Sequence, residues 1–370
     1  MKELLKSIHI ICFISLTLSI SFTQNAFASR RPLAKDSVAE QVKGLYISGW
    51  NIGNPEYRKY FINLANRTEI NTYVIDIKED DGCVSYPSEV KEVKKLGNWK
   101  LKYDPKLVLT ELHQNHIRVI GRIVCFKDPL LPLQKPELAL KTKSGEVWKD
   151  RDGLAWINPY KKANWEYLVN IAKEAVKLGF DEIQFDYIRF SGDKDLSNVD
   201  FGETKLTKYE AINGFLGYAR KKLPKTILSA DVFGIICESP EDMEGIGQYL
   251  ELIGKDIDYI SPMIYASHYA FGQIINGVEF PKPDLDPYGL VFNALSKTKS
   301  RISSIKNYRA SVRPYLQDFT SSYLGDGNFQ PYGANQIRQQ IKAVYDAGYH
   351  SWLFWNYTSQ YSETGFLPKK

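Results

Sequence analysis

The stretch Phe180-Asp181-Glu182-Ile183-Gln184-Phe185-Asp186-Tyr187-Ile188-Arg189-Phe190 decides how the rest of the chain is read. It is short and apolar, with charges set singly among large hydrophobic side chains. A helical pattern, Lys162–Leu178, precedes it and closes at Gly179; another, Lys205–Leu223, follows it and stops before Pro224. An apolar run between two helices is the pattern of a strand in a parallel sheet covered on both faces. The alternation continues outward in both directions. Strands are expected at Gly44–Gly49, Thr72–Ile77, Arg118–Cys125, Glu182–Ile188, Ile227–Val232, Tyr259–Ile264, Ala310–Tyr315 and Ser351–Trp355. The remaining helices are expected at Pro55–Asn66, Pro105–Asn115, Pro240–Ile253, Tyr288–Lys299 and Ala334–Ala347, placed by N-terminal Pro and C-terminal Gly. Eight such units in roughly 320 residues predict a single-domain (β/α)8 TIM barrel. A doubly wound sheet would carry a Gly-rich phosphate loop after its first strand, and Gly49-Trp50-Asn51-Ile52-Gly53 is not one. Two connections, 127–161 after the third strand and 267–287 after the sixth, are long and leave the barrel face that carries active sites.

Composition limits the function classes. The 370 residues are 44% hydrophobic and 25% charged, as in a globular protein with a full core. A net charge of +5 without a basic stripe disfavours nucleic acid as a partner. Aromatic residues reach 13%, which suits both cores and sugar-stacking clefts. At the N-terminus, Lys2 and Lys6 precede an apolar run from Ile8 to Phe22, and Ala26-Phe27-Ala28 matches a small-x-small cleavage pattern. The expected organisation is a signal peptide over 1–28, a lead-in over 29–41 and the barrel over 42–365. The apolar run is short for a membrane span of ~20 residues. The expected destination is therefore outside the cell or in the cell envelope, with no stable membrane insertion after cleavage. Cys83, Cys125 and Cys237 then remain, too few and too scattered for a disulfide framework or a zinc site. No metal and no cofactor are expected.

In a parallel barrel, a charge at the C-terminal end of an apolar strand is costly unless it has a partner or a task. Asp186, flanked by Phe185, Tyr187 and Ile188, is the foremost candidate nucleophile or acid/base group. The alternative for Asp186 is a structural pair with Arg189. Asp231, in Ser229-Ala230-Asp231-Val232-Phe233, takes the same place on the neighbouring strand. Adjacent strands lie about 4.8 Å apart, so two such carboxyls can approach within the range glycosidases use. Asp76 is a third candidate, with Lys78 two residues on, expected on the same face as its buried partner. The other strand ends pair an aromatic ring with an amide, hydroxyl or acid: Trp50, Tyr265 with His268, Gln317 with Asp318, and Trp355. With Lys78, Gln184 and Arg189 these are the candidate substrate contacts. Hydroxyl-rich ligands need such flat apolar faces beside polar groups. Gly-x-Ser-x-Gly, a P-loop and HExxH are absent.

Val42-Lys43-Gly44-Leu45-Tyr46, Val74-Ile75-Asp76-Ile77-Lys78, Gln184-Phe185-Asp186-Tyr187-Ile188-Arg189-Phe190, Tyr259-Ile260-Ser261-Pro262-Met263-Ile264-Tyr265 and Arg313-Pro314-Tyr315-Leu316-Gln317-Asp318-Phe319 together resemble a bacterial family of glycoside-hydrolase-like domains. That family is catalogued as a domain of unknown function and linked to amylase-like and chitinase-like barrels. The resemblance spans roughly residues 42–360. It implies a TIM barrel, a sugar polymer as substrate and a catalytic acid at Asp186. The chitinase pattern D-x-x-D-x-D-x-E would fall on Asp181, Gln184, Asp186 and Ile188, so its essential final acid is missing. The amylase pattern, with Arg two residues before the nucleophile and Glu on the next strand, meets Gln184 and Asp231 instead. The expected function is a secreted glycoside hydrolase acting on a cell-wall or extracellular polysaccharide. The alternative is a non-catalytic glycan-binding barrel of the cell envelope or spore coat.

Overall fold

The computed structural model describes residues 41–193 and 196–369. The expected signal peptide, and the lead-in up to residue 40, lie outside the described residues. The strands are β1 (Lys43–Ile47), β2 (Thr72–Lys78), β3 (Arg118–Val124), β4 (Glu182–Asp186), β5 (Ile227–Phe233), β6 (Tyr259–Met263), β7 (Ser311–Val312, continued by Tyr315–Gln317) and β8 (Trp352–Trp355). Each pairs in parallel with the next. β8 returns to β1 with Lys43 opposite Trp352, so the ring closes as a (β/α)8 barrel.

The principal helices between strands are α1 (Pro55–Arg67), α2 (Pro105–Gln114), α3 (Lys162–Leu178), α4 (Lys208–Lys222), α5 (Leu250–Ile253), α6 (Pro287–Ile302) and α7 (Ala334–Asp346). Their ends follow from local chemistry. The Asn54 and Asp104 side chains accept from the first backbone N–H groups of α1 and α2, ahead of Pro at the first helical position. Thr207 and Glu210 form a reciprocal capping box at α4. Gly179 takes φ 112° to end α3, a conformation a Cβ would strain.

Three expected elements are corrected. The helix read over Pro240–Ile253 is only the single turn of α5. Ahead of it, the Asp242 carboxylate accepts from the N–H groups of Ile246 and Gly247, and Gly245 and Gly247 have φ 64° and 86°. That side-chain-to-backbone knot competes with a helix for the same donors. The seventh strand is interrupted at Arg313–Pro314, where proline has no N–H to give the ladder. β4 stops at Asp186 rather than Ile188 because Tyr187 adopts φ 49°. The long connection after β3 pairs Lys141–Thr142 with Val199–Asp200 in a two-stranded ribbon, and the one after β6 forms the hairpin Gln273–Ile275/Val278–Phe280.

Side chains alternate between two cores, as strands dictate. Outward residues such as Ile183 and Phe185 pack with α3, α4 and the other helices in one continuous apolar layer. Inward residues Val42, Tyr46, Val74, Ile120, Tyr265, Tyr315 and Leu353 fill the barrel. Below them Glu182 is buried among Arg313, Arg118 and the Ser229 hydroxyl. Above them, at the C-terminal ends of the strands, the inward positions turn polar, and that layer holds the candidate site.

Candidate active site

The upper layer is organised by Arg122, the inward residue of β3 paired in register with Asp76 on β2 and Gln184 on β4. Its Nε and Nη2 both donate to Asp186 Oδ2, at 2.9 and 2.7 Å, and its Nη1 donates to Asp76 Oδ1 at 2.7 Å. Burial disfavours the guanidinium charge, but Asp186, Asp76 and Asp80 outweigh it and hold the pKa above the usual arginine value. The pair Asp186–Arg189 does not form; Arg122 takes that place. Asp186 also accepts from the Tyr187 N–H at 2.6 Å through Oδ1, a contact set by the left-handed backbone of Tyr187. Asp186 therefore presents a carboxyl gripped by three N–H donors, which fixes its orientation.

Asp76 is fully buried. Its Oδ2 accepts from the Tyr46 hydroxyl at 2.6 Å. Burial raises its pKa to about 7 against the opposing pull of Arg122. The expected Asp76–Lys78 pair is absent. Lys78 instead meets Asp128 at 3.0 Å and donates to the Val124 carbonyl. The cause is a bulge: Asp76 faces Arg122 but Lys78 faces Ile123, one step on instead of two. The intervening Ile77 packs over Gly121, where a Cβ would come within 2.2 Å of its Cδ1.

Asp231 continues the polar layer on β5. Phe185 lies opposite Ala230, so the next step of the same register sets Asp186 beside Asp231. Asp231 is 2% exposed, and its Oδ1 has no hydrogen-bond partner among the described residues. Burial first, and the charge of Asp186 second, push its pKa well above the ordinary carboxyl value. The fold therefore sets, beside the hydrogen-bonded Asp186, a buried acid that keeps its proton to higher pH than an ordinary carboxyl, an asymmetry that acid–base chemistry can use. Stability follows with a definite sign. The folded state keeps the Asp231 proton while the unfolded chain releases it above about pH 3.8, so stability is lost as pH rises from there through the folded value. Asp231→Asn, which cannot ionise, is expected to be more stable than the parent at pH 7 and to match it below pH ~3.8 in urea titrations. Equal stability of the two proteins at both pH values would remove the protonated assignment.

Aromatic rings wall this layer. Trp355 stacks on Tyr46 with centroids 3.9 Å apart, and Arg122 lies 5.3 Å from the Trp355 centroid. Tyr265 meets Phe319 edge-on at 5.6 Å and the exposed rim residue His268 at 5.3 Å. Gln184 lies beneath, joining the Tyr315 hydroxyl at 2.8 Å to Ser261. The structure thus gathers Asp76, Asp186, Asp231, Gln184, Tyr265 and Trp355 around Arg122. Gln317 and Asp318 are turned to internal tasks. Gln317 ties Ser267 to Asp284, and the Asp318 carboxylate accepts from the backbone and hydroxyl of Ser362. Trp50 sits 59% exposed on the turn after β1, with the Lys102 ammonium 5.8 Å from its ring. The residues missed from sequence are Arg122, Tyr46 and Tyr315. The signal for Arg122 was present, a lone charge near the end of the apolar run Val119-Ile120-Gly121-Arg122-Ile123-Val124, which is the same criterion that singled out Asp186.

Active sites of parallel barrels lie at the C-terminal ends of the strands, where this barrel carries carboxyls on β2, β4 and β5. The chain belongs to the family described as "Putative glycosyl hydrolase domain", whose model matches residues 44–361. The resemblance read from the strand motifs is therefore to the family that contains it. Similar solved structures include the glycoside hydrolase domain of PgaB (BpsB) from Bordetella bronchiseptica, 12% identical over 86% of this chain and 94% of that one, with a TM-score of 0.59. A chitinase from Rhizomucor miehei is 11% identical over 88% and 97% of the two chains, TM-score 0.52. Both show the barrel. A hypothetical protein from Ruminiclostridium thermocellum is 53% identical over 51% of this chain and 97% of its own, TM-score 0.49. No curated protein matches the chain. Among the described residues, no helix is long and apolar enough to cross a membrane.

Proposed function

We propose that this protein is a secreted glycoside hydrolase that cleaves a cell-wall or extracellular polysaccharide. Asp186 acts on the anomeric carbon, as nucleophile or as base for water, and Asp231 donates its proton to the leaving oxygen. The single observation that carries this reading is the unequal setting of the two neighbouring acids. Asp186 accepts three N–H hydrogen bonds, while Asp231 is buried with an unpartnered oxygen and a raised pKa. Asp76 touches Tyr46 and Arg122 and acts through them, as a positioning residue.

The test is reducing-end release from a panel of bacterial wall and extracellular polysaccharides. Binding without release from any of them would favour the glycan-binding alternative. The acid role has its own signature. Asp231→Asn is expected to slow cleavage of an ordinary glycosidic bond by about 10²–10⁴-fold. An aryl glycoside whose phenol leaves without a proton should be affected far less. Equal losses on both substrates would take the proton-donor role from Asp231.

A further inference from the structure

Directly after Asp186 the chain builds a feature that the acid–base reading does not use. Arg189 carries its guanidinium 4.5 Å from the ring centroid of Phe233, 4.9 Å from Tyr187 and 5.1 Å from Trp156. The three rings come from the end of β5, the loop after β4 and the long connection after β3. Among the described residues, its one hydrogen bond runs from Nη1 to the Phe190 carbonyl, and no carboxylate lies within ion-pair distance. Arg189 is half-buried, whereas the buried cations among the described residues are all paired: Arg58 with Glu111, Lys78 with Asp128, Lys102 with Glu79, Arg122 with Asp76 and Asp186, and Arg313 with Glu182.

Enclosure pulls the Arg189 pKa below the usual arginine value. Ring faces offset part of that cost through the π system. Among the described residues the in-plane donors Nε and Nη2 have no acceptor. Those donors have the fork geometry that takes an oxyanion through two parallel hydrogen bonds. A second cation stands nearby. Lys127 Nζ lies 5.1 Å from the Tyr187 ring centroid and has no ion pair among the described residues. Tyr187 links both cations to the site, because its N–H holds Asp186.

We propose that the substrate is an acidic glycan: a sugar at or beside the scissile bond carries a carboxylate or phosphate oxyanion that Arg189 grips in its plane, with Lys127 adding a point charge. This rests on the glycan reading of the site, and its test is binding rather than turnover, so the two can fail separately. Calorimetric titrations use the full chain carrying Asp186→Asn. The probes are uronate-containing oligosaccharides with their carboxyl-reduced twins, and phosphorylated glucan oligosaccharides with their dephosphorylated twins. The acidic member of one pair should bind at least tenfold more tightly than its twin, and the pair that shows this names the oxyanion. Adding Arg189→Gln should bring the acidic probe down to its twin's affinity, and Arg189→Lys should keep part of the preference, with near-UV circular dichroism unchanged in both. Equal affinity within both pairs, no binding to any probe, or a preference that survives Arg189→Gln overturns the proposal. If acidic probes bind preferentially while the unmodified enzyme releases no reducing ends, the oxyanion site stands and the hydrolase reading falls.

Discussion

Asp186→Asn is expected to lower polysaccharide cleavage by about 10⁴-fold or more, the upper end of what a positioned acid–base group contributes. The loss has a defined origin. Asn keeps one oxygen, which can accept from Arg122 or from the Tyr187 N–H but not from both, because Asp186 uses a different oxygen for each. It lacks the charge that can attack, or activate water against, an anomeric carbon. The fold should persist, because Arg122 still faces Asp76 and Asp80. Initial rates of reducing-end release, read beside far- and near-UV circular dichroism, separate chemistry from folding. More than a tenth of parental activity in a folded Asp186→Asn protein would strip Asp186 of its role.

The second large effect concerns stability. Arg122→Met preserves most of the apolar stem beneath Tyr46 and Trp355 but removes the charge shared by Asp76 and Asp186. Breaking a buried ion pair by deleting one partner costs about 3–5 kcal/mol, because the remaining charge is left uncompensated. The cost should depend on pH. Without Arg122 the opposing pull on Asp76 is gone, so burial drives this carboxyl further toward its protonated form in the folded state, while the unfolded chain still ionises at ordinary values. The deficit should therefore be largest near pH 8 and shrink toward pH 4, as the unfolded carboxyl regains its proton. Urea unfolding of parent and variant at both pH values gives the comparison. A deficit that is the same at pH 4 and pH 8 would mean that Arg122 matters only as packing. Activity should be lost even where the variant is folded, since Asp186 would lose the two N–H donors that position it.

The two variants probe different layers of one design, and the sequence disclosed those layers unequally. Asp186, Asp231 and Asp76 were legible because the penalty for burying a charge in an apolar strand can be judged from neighbours in the chain. Strand and helix order was legible for the same kind of reason. Proline and glycine punctuation, together with apolar runs covered on both faces, fixes local periodicity without reference to distant residues. The Pro240–Ile253 helix was misread where a side chain, Asp242, captured the backbone N–H groups that a helix would have used. Lys78 was misassigned because the rule that alternate residues share a face assumes an unbroken ladder, and a bulge lies between Asp76 and Lys78.

By itself, then, the sequence determined the order of the elements, the closure expected of eight such units, and which strand ends carry acids. Tertiary structure alone decided the partners. It set Arg122 rather than Arg189 against Asp186, and Asp128 rather than Asp76 against Lys78. It turned Gln317 and Asp318 to internal hydrogen bonds and set rings from the end of β5, the loop after β4 and the connection after β3 around Arg189. The physical reason is range. Propensity and burial cost act over a few neighbouring residues, whereas a partner across the barrel is chosen by strand register and by where a bulge or a left-handed residue aims a side chain. Those quantities exist only once the ring has closed.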